Sequence, residues 1–289
     1  MAVTIGQVAQ LIEKLAPKFW AEEWDNVGLL VGSGSAQVER ILIALDGTLE
    51  VVEEAREFGA QLIIAHHPIM FRPLKNLRSD NAAAKIPLLL LNHQIGYYAV
   101  HTNLDQSRLS SSFTLGEILD LKEIKLLEEK VSEGTKNLQS NIIPSNLPDE
   151  ARGYGVIGYL ERPEKLEIVW QNFLERLKKS NIYAHPYDLT GVRLAGSLQK
   201  EIRKVAIVNG SGGRFVPKAL FKGVDLLITG DVDHHAVLDA LEGGMAVGDL
   251  GHFLSEAPML QALNYYLSSE RALQRVEFKV SKSNSSPWR

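Results

Sequence analysis

The chain of 289 residues predicts an α/β protein built from two related α/β lobes, each with a sheet flanked by helices. Three observations carry this. Apolar runs such as ILIALD, QLIIA, VAIVN and DLLIT are continuous rather than alternating, as strands covered on both faces are. Amphipathic helical stretches separate them, which is the pattern of parallel β-α-β units. A constant offset also aligns Ile43 with Ile207, Ala55 with Ala219, Gly59 with Gly223, Leu62 with Leu226 and Ile64 with Ile228. Buried parallel strands converge on one apolar alphabet, so part of that match is generic. The shared glycine and the shared strand end favour a pseudo-duplication.

The elements follow in order. Residues 4–18 read as a helix capped by Thr4, with Ile5, Val8, Leu11, Ile12 and Leu15 on one face. WDNVGLLVG and ILIALD are strand-like, and Thr48 caps a helix through Phe58. QLIIAHH delivers a strand into the loop HPIMFRPLKNL. A helix over residues 81–94, interrupted near Pro87, precedes the strand IGYYAV, and the first lobe ends at residue 129. Residues 130–150, polar with two prolines, form a connection. The second lobe, 151–280, reads GVIGYL (strand), Lys165–Lys179 (helix), KVAIVN (strand), a glycine turn, a helix, DLLIT (strand), a helix, MAVGDL (strand) and VEFKV (strand). The tail 281–289, SKSNSSPWR, is polar and mobile unless it pairs.

Bulk properties exclude several classes. A net charge of −4 and a pI near 6.1 give no basic field for nucleic acid. No apolar run approaches the roughly 18 residues that mark a membrane span. MAVTIGQVAQLIEKL has no basic leader and turns amphipathic at once, unlike a signal peptide. With no cysteine, thiolate zinc, iron–sulfur clusters and disulfides are excluded, which fits a cytoplasmic location. Any metal must be held by nitrogen and oxygen.

Four strand ends carry such donors. QLIIA runs into His66-His67, and IGYYAV leads to His101 and Asp105. DLLIT leads to Asp231 and His234-His235, and MAVGDL to His252 and Glu256. Open α/β sheets bind ligands beyond the carboxyl ends of their strands. His252 and Glu256 are four apart at a helix start, so one face presents both; His101 and Asp105 share the spacing. A single catalytic zinc uses about three protein ligands, so five or more donors fit two ions about 3.5–4 Å apart. Singly, each pattern has an ordinary reading: HTNLD as an Asx turn, Glu256 as a helix-dipole partner. His93 and His185 read as plain surface or core histidines. The turn GSGG (Gly210–Gly213) reads as a tight turn before a phosphate cradle, lacking GK[ST] and the GxGxxG spacing. GSGS at 32–35 is a loop.

WDNVGLLVG, HHP, YYAVHTNLD, GYGVIGYL, VAIVNGSGG, DLLITGDVDHH and GDLGHFLSE, in this order and nearly end to end, resemble the Nif-three-like family of dinuclear metal-centre proteins, the GTP cyclohydrolase 1 type 2 homologues. The resemblance implies metal ligands at His66, His67, Asp105, His252 and Glu256, with two divalent ions between the lobes. Zinc, iron, manganese, nickel and cobalt all suit such donors. It places His101 and His235 close to the metals, where in a hydrolase either imidazole would shuttle protons, and Asp231, Gly210 and Gly212 behind the ligands or against substrate. Val156 stands where the family often has a basic residue, although Arg152 is near. Without room for an inserted domain, the chain resembles the short form, implying a homohexamer. Phe71, Phe215 and Phe253, in loops or at helix rims, would support such an interface.

Three functions remain open at this level. One is a metal-dependent hydrolase acting on a nucleotide or related anionic small molecule. Another is a non-catalytic metal-binding or delivery protein, and the third a regulatory interaction protein.

Overall fold

A computed structural model of the chain describes residues 2–130, 152–180, 182–183, 189, 191–283 and 286–287. Most of the predicted polar connection, together with His185 and part of the tail, lies outside the described residues. The chain forms two compact units, one of residues 1–104 with 260–285, the other of residues 105–259 with 286–289.

The first unit opens with helix α1 (Ile5–Leu15), whose five predicted apolar positions are all buried. Thr4 and Gln7 close a capping box: Gln7 N–H donates to Thr4 Oγ1 at 3.3 Å and Thr4 N–H to Gln7 Oε1 at 2.9 Å. The GSGS loop seats the same helix end, since Gly34 O accepts from Gly6 N–H and Ala36 O from Ile5 N–H. The predicted helix stops before Pro17, and Lys18–Trp20 continues as a single 3₁₀ turn. Strands β1 (Gly28–Val31) and β2 (Arg40–Ala44) precede α2 (Leu49–Phe58), capped by Thr48 as expected. After β3 (Leu62–Ala65) comes α3 (Lys85–Asn92) and then β4 (Gly96–Ala99). Pro87 does not interrupt α3. It sits in the first turn, where a proline's missing N–H has no helical partner to lose. His93 is an exposed cap residue, as its ordinary reading requires. The short helix α4 (Thr102–Asp105) carries the chain to the unit boundary.

The second unit holds α5 (Ser111–Ile118), β5 (Lys122–Glu129), β6 (Gly153–Lys165), α6 (Leu166–Lys179), β7 (Arg193–Ala195), β8 (Glu201–Ser211), α7 (Val216–Phe221), β9 (Leu226–Gly230), α8 (His234–Glu242), β10 (Ala246–Asp249) and α9 (His252–Glu256). The chain then returns to the first unit through α10 (Pro258–Ser269) and β11 (Glu277–Val280). The division thus falls at residues 104–105, not at the polar stretch. β5 pairs antiparallel with β6, which keeps both flanks of that stretch in one sheet. VEFKV joins the first unit because β11 pairs in parallel with β2. Beyond it, Ser281, Lys282 and Ser283 donate to the Glu54 carboxylate, so the start of the tail does pair.

The first sheet has the order β1-β4-β3-β2-β11 and the second β5-β6-β8-β9-β10-β7. Their centres match. β2, β3 and β4 are mutually parallel with β1 antiparallel beyond; β8, β9 and β10 are parallel with β7 antiparallel beyond. Gly59 and Gly223 both end the intervening helix in the left-handed region, at φ 72° and 65°, where a Cβ is penalised. The offset in the sequence is therefore matched by a repeated topology. Each unit packs its own apolar cluster, around Leu42, Ile63 and Tyr97 in one and Ala206, Leu227 and Val247 in the other.

Two of the three aromatics invoked for an interface are buried: Phe215, in the second unit's apolar cluster, is 3% exposed and Phe253, in α9, 6%. Phe71 is exposed. Among the described residues no helix is long and apolar enough to cross a membrane.

The capping box is open to direct test. Thr4→Ala should lower stability by about 1 kcal/mol in urea unfolding, with the slope unchanged. An unaltered midpoint would show that the loop over 33–36 holds the helix end unaided.

Candidate metal centre

In the first unit the parallel strands end level: Ala44 lies opposite Ala65, and Ala65 opposite Ala99. Each strand then releases a polar residue, Asp46 after β2, His66 and His67 after β3, and His101 after β4. One ring nitrogen from each of His66, His67 and His101 lies within 4.8 Å of the others, a grouping that could hold a metal ion. The ring centroids are 4.8 to 5.3 Å apart. The structure therefore gives His101 the same access as its neighbours, beyond the shuttle role expected of it.

Every one of these rings is anchored through Nδ1. His66 Nδ1 donates to Val100 O at 3.0 Å, His67 Nδ1 to Asp46 Oδ1 at 2.7 Å, and His101 Nδ1 to Asp25 Oδ1 at 2.9 Å. A carbonyl or carboxylate can only accept, so each bond fixes the proton on Nδ1 and makes Nε2 the lone-pair nitrogen. Burial would raise the Asp25 carboxyl, but hydrogen bonds from His101 and Thr102 and the attraction of His101 outweigh it and hold the pKa down to about 2. Its side chain is 0% exposed, and Thr102 Oγ1 donates to Oδ2 at 2.6 Å.

The second unit repeats the device. His252 Nδ1 donates to Asp231 Oδ2 at 2.9 Å, and its Nε2 faces Glu256 Oε2 at 3.1 Å across one turn of α9. A lone-pair nitrogen against a carboxylate oxygen is repulsive unless a proton or a cation lies between them. Asp231 occupies the left-handed region at φ 46°, a strained conformation for a residue with a side chain and one that gathers at functional sites. Asp105 accepts from Asn209 Nδ2 at 2.7 Å, and Asn209 is in turn held by Ser112 through both its amide oxygen and its backbone N–H. Ser111 Oγ donates to Glu256 O, fixing the end of α9.

The GSGG turn is not an anion cradle. Gly210 N–H is already given to Ser255 Oγ, and Gly212 N–H to Gly230 O. Gly210 instead makes room: a Cβ there would stand 2.2 Å from Glu256 Oε1. Gly212 serves likewise against Thr229. His235 is exposed in the first turn of α8, its ring edge-on to His234 with centroids 5.4 Å apart, so within its own unit it is turned to solvent. Val156 is buried in β6, and Arg152 Nε donates to Gln106 Oε1.

Sequence reasoning missed Asp25 and Asp46, the carboxylates behind two of the imidazoles. Their signal was present, since Asp46 ends the strand ILIALD and Asp25 sits in WDNVG. It also missed Asp249, a buried strand-end carboxylate paired with Arg193.

The model of the Duf34/NIF3 (NGG1p interacting factor 3) family matches residues 3–287. The chain belongs to the Duf34/NIF3 family. The Clostridium perfringens GTP cyclohydrolase 1 type 2 homolog is 35% identical over 286 residues, covering 98% of each chain. Among solved structures, a Bacillus cereus protein related to NIF3 superposes with a TM-score of 0.83 at 26% identity, over 99% of both chains. The Staphylococcus aureus hypothetical protein SA1388 gives 0.82 at 28%, over 100% of this chain and 99% of that one. The Duf34/NIF3 fold therefore covers both units.

Gly210→Ala should displace the Glu256 carboxylate and lower bound metal while far-ultraviolet circular dichroism stays native. Unchanged metal content would show that the flexible Glu256 carboxylate tolerates a methyl group at this position.

Proposed function

We propose that this Duf34/NIF3 protein holds two divalent ions through His66, His67, Asp105, His252 and Glu256, and acts as a metal-dependent hydrolase on a nucleotide or related anionic small molecule. The observation that carries the reading is the uniform anchoring of four imidazoles by Nδ1, three of them on carboxylates. That arrangement orients a ligating Nε2 and raises its basicity, and it accompanies metal-binding histidines. The donor set is all nitrogen and oxygen, borderline to hard, and fits first-row divalent ions. Bound there, the ions would activate water near neutral pH and polarise the bond under attack. His101, held by Asp25, would accept or return a proton at Nε2, and the exposed His235 is a second proton carrier for a substrate entering from solvent.

Elemental analysis of purified protein should find two divalent ions per chain. Glu256→Ala and His66→Ala should each lower that content at native-like secondary structure, and nucleotide hydrolysis should fall with it. One ion or none in protein reconstituted with zinc, manganese or iron would defeat the dinuclear assignment.

Acid should release metal, because protons compete with the ion for the nitrogen and oxygen ligands. Asp25 acts separately. Its folded pKa lies below the unfolded value of about 3.9, so the stability it contributes is full above that value and is lost only as pH falls towards 2. A metal content wholly independent of pH would contradict protonatable nitrogen and oxygen ligands.

A homohexameric assembly, drawn from the resemblance, is part of the proposal. Phe221 at 90%, Phe19 at 65% and Tyr265 at 56% exposure support self-association. Light scattering should give about six times the 32.0 kDa chain mass; a single species at the chain mass would exclude the ring.

A further inference from the structure

Two large aromatic side chains stand exposed beside the imidazole cluster of the first unit. Trp24 is 62% and Phe71 50% exposed. Both meet the same ring. Trp24 lies edge-on to His101 with centroids 5.9 Å apart, and Phe71 edge-on at 5.7 Å. Neither belongs to the metal-donor set, and the predicted site did not include them as ligand contacts.

Their exposure is built rather than incidental. Asn26 Nδ2 donates to Met70 O at 2.6 Å, tying the loop that carries Trp24 to the loop that carries Phe71. Asp25, between Trp24 and Asn26, has a fully buried side chain bound to His101 and Thr102. Glu22 N–H donates to Thr102 Oγ1 at 3.0 Å, fixing the other flank of Trp24. Two pinned loops thus hold indole and phenyl faces in water next to a nitrogen-rich centre. Stacking on such faces favours flat π systems and tolerates different rings.

We propose that Trp24 and Phe71 are specificity-determining residues that stack the planar heteroaromatic ring of a substrate whose polar atoms reach the metal centre. The assignment rests on the metal reading above and narrows its substrate class to ring-bearing compounds, as distinct from simple phosphates or phosphorylated sugars. A ligand satisfying both features needs an apolar face for the two aromatics and a polar edge for the ions. A heteroaromatic ring has both, and an aliphatic chain or a bare anion has one.

The test uses metal-loaded full-length protein, with GTP as ring-bearing probe and inorganic tripolyphosphate as its ringless counterpart, titrated calorimetrically. Wild type should bind GTP more tightly than tripolyphosphate. Trp24→Ala should weaken GTP roughly tenfold or more, and Phe71→Ala should act in the same direction. Trp24→Phe should retain most of the affinity, because a ring remains. Metal content, melting temperature and tripolyphosphate binding should not change in any variant. GTP binding no tighter than tripolyphosphate in wild type, or undiminished in both alanine variants, overturns the proposal. So does a loss that tracks a fall in assembled mass, which would make the pair a contact between copies of the chain. Elemental analysis on the same samples separates failures: wild type without divalent metal defeats the metal reading, whereas full metal with ring-independent binding defeats only this one.

Discussion

A buried imidazole has two nitrogens and, when neutral, one proton, and the placing of that proton governs what the ring can do. Here the choice is made by acceptors set behind the rings. Val100 O, Asp46, Asp25 and Asp231 each take an Nδ1–H, leaving Nε2 as the donor atom of His66, His67, His101 and His252. Remove those acceptors and the rings could rotate or exchange tautomers, and the three rings grouped in the first unit would no longer each present Nε2. The remaining features follow from this constraint. Parallel strands must end level so that the rings arrive together, Thr102 must hold Asp25, and Gly210 must stay small beside Glu256.

The repeated topology explains how one architecture supplies both ligands and anchors. The offset that aligns Ile64 with Ile228 also aligns His67 with Asp231, at equivalent positions after β3 and β9. In one unit that position carries an imidazole, and in the other the carboxylate that orients His252. After β4 and β10 the chain enters a short helix, α4 ending on Asp105 at the unit boundary and α9 bearing His252 and Glu256. Divergence at matched strand ends therefore gives different donors without altering either sheet.

Much of this was legible because strand ends and helix caps leave local marks. Thr4 and Thr48 begin their helices as read, and the buried runs LIIA and LLITG are strands. What escaped depended on partners distant in sequence. Ser111 and Ser112 look like loop residues, since serine competes for backbone bonds, yet they are buried in α5 because Glu256 O, Met259 N–H and Asn209 occupy their hydroxyls. KEIKLLEE has the charge of a solvated face, and it is an edge strand, where charge deters further pairing. Glu123, at φ 52°, breaks its alternation by a bulge. Phe215 and Phe253 looked exposed because aromatic residues at loop rims give no sign of what folds over them.

Acceptors set behind these imidazoles preset the tautomer that metal ligation through Nε2 requires. Nitrogen-15 NMR of histidine-labelled protein, recorded without metal and after adding zinc, reads it directly. Nδ1-protonated rings are expected for His66, His67, His101 and His252 before zinc, with Nε2 resonances of His66, His67 and His252 moving on its addition. Rings protonated at Nε2, or Nε2 resonances indifferent to zinc, would contradict that presetting.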